Sequence, residues 1–299
     1  MTARALVILP ILLLAARPVR AQAWVAPAGM GSISVAGQRI ANTGHFIDDG
    51  GRLEVGLSTD ASLYFEGEYA VTDRLSVSAG LPYVLARYTS PEPTPINFLP
   101  VDSCRCWHGG WQDFGVRARY NLIGGGFALT PSVAFGVPSH AYNYRGEAVI
   151  GRQLKEVRFG VDAGQRLDAL SSRLSLQGSY SYALVERTLD VANNRSNAGV
   201  EVAVAVTRRL SARWLSSWQR THGGLRFPQD LSTDDLITQH DRLLRDDYWH
   251  TGFGASYSLP QLDFFASYIA YARGTNSHAG RVITAGISWP FEITRANRP

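Results

Sequence analysis

The sequence predicts an all-β protein, a transmembrane antiparallel β-barrel of about 12 strands, and three observations predict it. Apolar and polar residues exchange with period two along most of the chain, which is the repeat of a strand and not of a helix. The connections between these runs alternate between short and long. The apolar faces carry aromatic side chains toward the strand ends, as the two interfaces of a bilayer require.

The first segment stands outside the barrel. Arg4 begins a short basic region, Ala5 to Ala16 form an apolar stretch too short to span a bilayer, and Ala21-Gln22-Ala23 is an A-x-A cleavage site. Residues 1–23 therefore read as a signal peptide and residues 24–299 as one outer-membrane barrel domain, with Trp24 at the mature N-terminus. Removing the three arginines of the signal lowers the net charge from +4 to +1. That balance gives no ground for nucleic-acid binding. Beyond the signal no apolar run is long enough for a transmembrane helix, although 45% of the chain is hydrophobic. Polar and apolar positions are interleaved, not blocked.

The strands follow in order. A first run lies around Ser32 to Ile40. Leu63, Phe65, Tyr69 and Val71 share one parity against Tyr64, Glu66 and Glu68. After a polar break at Thr72-Asp73-Arg74, Leu75, Val77, Ala79 and Leu81 alternate with Ser76, Ser78 and Gly80. Phe114, Val116, Ala118 and Tyr120 oppose Asp113, Arg117 and Arg119; Leu129, Val133, Phe135 and Val137 oppose Thr130 and Ser132. Val157, Phe159 and Val161 oppose Glu156, Arg158 and Asp162, and Leu174, Leu176, Tyr180 and Leu184 oppose Ser175, Gln177 and Ser181. Val200 to Val206 turn at Arg208-Arg209 into Leu210, Ala212, Trp214 and Trp218. Strands near Tyr248–Tyr257 and Leu262–Tyr271 precede the last run, Ile283 to Phe291. Leu262–Tyr271 carries apolar residues on both parities, Phe265 and Ile269 among them, so its register is open. Pro82, Pro131 and Pro290 each remove a ladder donor and predict a bulge or strand end.

Short turns fall at 71–74, 121–126, 168–173, 207–209 and 259–261. Long polar connections fall at 89–110, 138–152 and 221–247. A sheet with all its short turns at one end is an outer-membrane barrel with its long loops facing outward. A soluble sandwich explains the alternation but neither the loop asymmetry nor the aromatics. Lipid is thus the expected partner of the apolar face. The last strand, closing on Phe291, has the form of the signal read by the barrel assembly machinery.

The segments 71–84 (VTDRLSVSAGLPYV), 109–123 (GGWQDFGVRARYNLI) and 127–139 (FALTPSVAFGVPS) resemble outer-membrane barrels of the phenol-degradation meta-pathway transporter family. The likeness is clearest over residues 61–165. It implies a transporter of small, in particular aromatic, compounds and brings no catalytic motif.

Function is expected on the inward face. Its predicted acids are Glu66, Glu68, Asp113, Glu156, Asp162 and Glu201. Its predicted bases are Arg117, Arg119, Arg158 and Arg213. Charges in a narrow lumen should pair across strands, either packing it shut or forming a constriction that selects a small-molecule permeant. Twelve strands fall between a barrel filled by side chains and a wide aqueous pore. A channel is the favoured reading; a plugged structural or adhesive barrel and a lipid-acting hydrolase are its rivals. A barrel hydrolase needs a serine and a histidine that meet on the outward face, and no such pair is evident. Cys104-Arg105-Cys106-Trp107-His108 is one residue too tight for the C-x-x-C-H haem signal, and it lacks further local metal ligands. The seven histidines (His45, His108, His140, His222, His240, His250, His278) fall in or beside outer loops, and no metal or other cofactor is predicted.

Overall fold

The computed structural model describes residues 23–54, 56–89 and 100–293. The signal segment up to Gln22, part of the 90–107 connection and the tail from residue 294 lie outside them. The strands are β1 (Met30–Phe46), β2 (Arg52–Leu53), β3 (Leu57–Ala70), β4 (Leu75–Thr89), β5 (His108–Trp111), β6 (Asp113–Tyr120) and β7 (Phe127–Pro138). They continue as β8 (Glu156–Arg166), β9 (Leu174–Val185), β10 (Asn193–Ala205), β11 (Leu210–Gly223), β12 (Asp247–Ser258), β13 (Asp263–Thr275) and β14 (His278–Glu292). Three single-turn helices sit in outer loops: α1 (Pro100–Ser103), α2 (Asp234–Ile237) and α3 (His240–Leu243). No described helix is long and apolar enough to cross a membrane.

Every neighbour in the sheet is antiparallel, and β14 returns to pair with β1 from Met30↔Glu292 to His45↔His278. β5 and β6 both pair with β4 and act as one stave, and β2 is a two-residue spur on β1. The result is a closed 12-strand antiparallel barrel. Closure leaves no unpaired edge, the condition for a sheet to sit in lipid.

Burial reports the medium outside. The outward parity holds Ile33 (54% exposed), Phe135 (53%), Phe159 (52%) and Phe253 (68%), with Trp214, Trp218, Trp249 and Trp289. Each such side chain gains roughly 1.5–3 kcal/mol on leaving water, so a belt of them around the whole wall belongs in lipid. The prolines fall where a missing donor costs least. Pro82 faces the one-residue register shift between β5 and β6, Pro131 lies just past the last β6–β7 pair, and Pro290 just past the last β13–β14 pair.

Several boundaries differ from the sequence reading. β1 extends six residues past Ile40, β10 begins at Asn193 and not near Val200, and β13 runs to Thr275. In β13, Phe264 and Tyr268 are exposed outward, so Phe265 and Ile269 point inward. β13 and β14 join through a two-residue outer hairpin, Asn276-Ser277, with Asn276 at φ 51. Asparagine tolerates this left-handed conformation better than most residues.

Candidate functional site

The lumen has two halves with different contents. In the lower half, toward the short turns, the strands alone supply the lining. Arg117 on β6 reaches over β7 to Asp162 on β8, and Arg119 reaches over β4 to Glu68 on β3. These pairs span two strands because the intervening inward positions are small: Ser132 on β7, and Ser76 and Ser78 on β4. Ser132 also accepts a bond from Arg117 at 3.2 Å. Glu201 accepts from Gln177 at 3.1 Å and lies 3.8 Å from Arg213. The segment before β1 enters this half from below. Ala23 donates its N–H to Gln177 Oε1 and accepts from Thr130 Oγ1, and Trp24 Nε1 donates to the Gly125 carbonyl.

In the upper half the lining is largely loop. Residues 139–155 fold into the barrel and pack Tyr142, Ala148 and Ile150 on Val84, Ala86 and Tyr88 of β4. Leu154 of the same loop packs on Ala183 and Val185 of β9. Asp102 of α1 is 2% exposed and accepts the Glu147 N–H on both carboxylate oxygens. Burial pushes the carboxyls of Asp102 and Glu147 above their ordinary range. A second loop, 224–246, lies across the first. Gly146 N–H donates to the Thr238 carbonyl, Arg145 pairs with Asp235, and Arg152 lies 3.9 Å from Asp246. Leu231, Leu243 and Leu244 of this second loop are buried.

Two cavities of about 650 and 660 Å³ occupy the upper and lower halves. They share the wall formed by Tyr64, Asp113, Gly136, Glu156 and Arg158, an arc on β3 and β6–β8 where the two spaces meet, which is the waist of the lumen. Glu156 is held there between Arg158 and Arg195, at 2.5 Å from each, while Asp113 accepts the Tyr142 hydroxyl. Tyr64 donates to Glu66 at 3.0 Å. A smaller space of about 230 Å³ opens beside Asp162, Gln177, Glu201 and His250.

Each of the ten residues expected inward thus borders a cavity: Asp162 and Glu201 the small one, the other eight the lower one or the waist. Sequence reasoning missed Arg195, which shares the parity of Glu201 once β10 is extended to Asn193. It also missed Tyr142 and Arg152, which reach the lumen from a loop taken to face outward. The inward apolar run Val84, Ala86, Tyr88 was the available sign of a loop packed inside. Cys104 and Cys106, left open as a pair, form an exposed disulfide after α1.

Two histidine placements differ from expectation. Ser196 Oγ and His222 Nε2 meet at 2.7 Å on the outward parity of β10 and β11, with Tyr180 Oη 3.0 Å from the serine. No carboxylate among the described residues is bonded to His222, so the pair lacks the group that orients a triad. At the upper rim His45, His240 and His278, scattered in sequence, converge inside the barrel with Asp241 beside them.

The chain is similar in fold to an outer membrane channel from Pseudomonas putida F1, at 13% identity and a TM-score of 0.71 over 92% of this chain and 100% of that one. It is similar also to the β domain of the Bordetella autotransporter Brka, at 12% identity and a TM-score of 0.52 over 88% of this chain and 100% of that one. The translocator domain of the autotransporter NalP from Neisseria meningitidis matches at 10% identity and a TM-score of 0.50, over 89% of this chain and 90% of that one. Likeness at these identities shows the fold alone, a closed barrel of outer-membrane type. No family profile matches the chain, and no curated protein matches it in sequence.

Proposed function

We propose that this protein resides in the bacterial outer membrane and passes small solutes through its lumen without a chemical step. The observation that carries the reading is the pair of cavities meeting at the waist of Tyr64, Asp113, Glu156 and Arg158. A barrel built only as an anchor has no need of two solvent-sized spaces in series along its axis. Fixed charges at a narrow point act on permeants directly, because little water screens them. Aromatic solutes are the first class to test, on the strength of the resemblance at residues 71–84, 109–123 and 127–139.

Single-channel recording in planar bilayers tests the channel, and liposome uptake of small phenols against sugars of similar size tests the permeant. Arg158→Glu reverses one charge at the waist on a side chain that is 44% exposed, so folding should survive. The expected result is a shift of ion preference toward cations. A folded barrel that never conducts would establish the plugged reading. The Ser196–His222 contact gives the hydrolase reading its one support, and release of fatty acid from phospholipid, abolished by Ser196→Ala, would establish it.

A further inference from the structure

The upper rim carries a side-chain constellation that neither the waist nor the ion-pair ladder uses. His45 lies near the end of β1 and His278 begins β14; the two are direct partners where the barrel closes. His45 has odd parity and by simple alternation would face lipid. A register shift between Asn42 and Gly44 turns it inward, the re-aiming that a β-bulge performs. His240 comes from α3 in the loop folded down from above. One ring nitrogen of each histidine lies within 4.8 Å of the others. Asp241 Oδ1 is 3.3 Å from His240 Nε2 and 3.9 Å from His278 Nε2.

The hydrogen bonds around the rings favour a ligand set. His45 Nδ1 bonds the Phe46 carbonyl and His240 Nδ1 the Ile237 carbonyl, each at 2.9 Å. A carbonyl can only accept, so each Nδ1 carries a proton and Nε2 is the nitrogen left to coordinate. This is the outer-shell arrangement that fixes metal-ligating imidazoles. On His240 a bound metal would displace the proton that Asp241 Oδ1 draws to Nε2. The three rings meet at interplanar angles of 62–67°, T-shaped and not stacked. His45 and His240 are 5% and 6% exposed. Asp60, Glu147 and Asp246 line the same cavity, so a cation enters surroundings rich in carboxylate, with Arg152, Arg158 and Arg195 the opposing charges.

We propose that His45, His240, His278 and Asp241 bind one divalent transition-metal ion of the zinc type. Three imidazoles and a carboxylate suit tetrahedral zinc and exclude hard cations that prefer all-oxygen shells. At metal–nitrogen distances of about 2.0–2.1 Å the side chains must draw together slightly, a rotamer-scale adjustment. Occupancy ties the loop 224–246 to the seam between β1 and β14, and so latches it inside the upper mouth. The site stands whether or not the barrel conducts; the latch alone rests on the channel reading.

The test uses full-length, tag-free protein refolded in detergent and stripped with a chelator. Titration with Zn²⁺ should saturate at one ion per chain, and Co²⁺ should give the intense visible bands of a tetrahedral centre. X-ray absorption on the unaltered zinc-loaded protein should report nitrogen and oxygen neighbours only. His240→Ala and His278→Ala should each weaken binding by more than about tenfold, with heat-modifiable mobility confirming that each variant is folded. His278→Gln, at a strand end, serves if His240→Ala fails to fold. The double variant Cys104→Ser with Cys106→Ser should bind as before. Absence of saturable binding, sulfur in the metal shell, or affinity unchanged in folded histidine variants would overturn the site. In bilayers, Zn²⁺ should lower the mean conductance reversibly, and not in His240→Ala; conductance indifferent to bound zinc would overturn the latch.

Discussion

The two halves of the lumen are filled by different means. Below the waist, Arg117, Arg119, Asp162 and Glu68 stand on strands, and each partner is set by register across one intervening strand. Above it, Tyr142, Arg152, His240 and Asp241 arrive on loops, and their positions depend on apolar packing against the inner wall. A strand-borne lining is as rigid as the barrel. A loop-borne lining is held by a few buried residues and can detach without unfolding the sheet.

The largest expected effect is therefore in the upper half. Deleting residues 141–153 should raise single-channel conductance by at least about twofold while the barrel stays heat-modifiable. An unchanged conductance would move the resistance to the lower half. Next is Asp162→Ala, which leaves Arg117 without its carboxylate. Asp162 is 4% exposed, but Arg117 keeps some solvent, so the expected loss is about 1–2 kcal/mol, read from urea unfolding in lipid. Arg145→Ala, which breaks the exposed pair with Asp235 at the outer rim, should cost less than about 1 kcal/mol in the same assay.

A pH series separates the halves in another way. Burial raises Asp102 and Glu147, so in the interval above their ordinary values the docked loop holds more protons than a released one. Docking is then strongest at acid pH and weakens as pH rises from about 4. Hydrogen exchange in residues 139–155 should accelerate across that range beyond the intrinsic rate, with the β6–β8 amides unaffected. The smallest effect belongs to the Cys104–Cys106 ring. Closing so short a loop removes little chain entropy, and Cys104→Ser with Cys106→Ser should leave barrel formation unchanged by gel mobility.

The same division explains what the sequence made legible. Residues 63–81 announce two strands and a turn because each side chain's face follows from its neighbour's. The ten inward charges follow from the same rule. Alternation carries no information once the chain leaves the sheet. The connection 138–152 therefore reads as an outward loop, although Tyr142 and Ile150 within it, like Leu154 just beyond, are apolar enough to need burial. One bulge also defeats parity. Counting by twos places His45 in lipid, and only the shift at Asn42/Gly44 brings it beside His278. The register of β13 stayed ambiguous because apolar residues occupy both of its faces: inward Phe265 covers Gly286 of β14, and inward Ile269 borders the small space beside His250.

The seam has a consequence for the timing of assembly. β1 and β14 are joined by fifteen register pairs, yet they come from opposite ends of the polypeptide. Until residues 278–292 have been made, one whole flank of β1 has no protein partner. In hydrocarbon every idle amide on that flank costs several kcal/mol, whereas in an aqueous phase water satisfies it at once. A chain bound for a bilayer therefore waits in water until residues 278–292 arrive. A nascent chain stopped short of His278 would have every other strand and still no stable place in the bilayer.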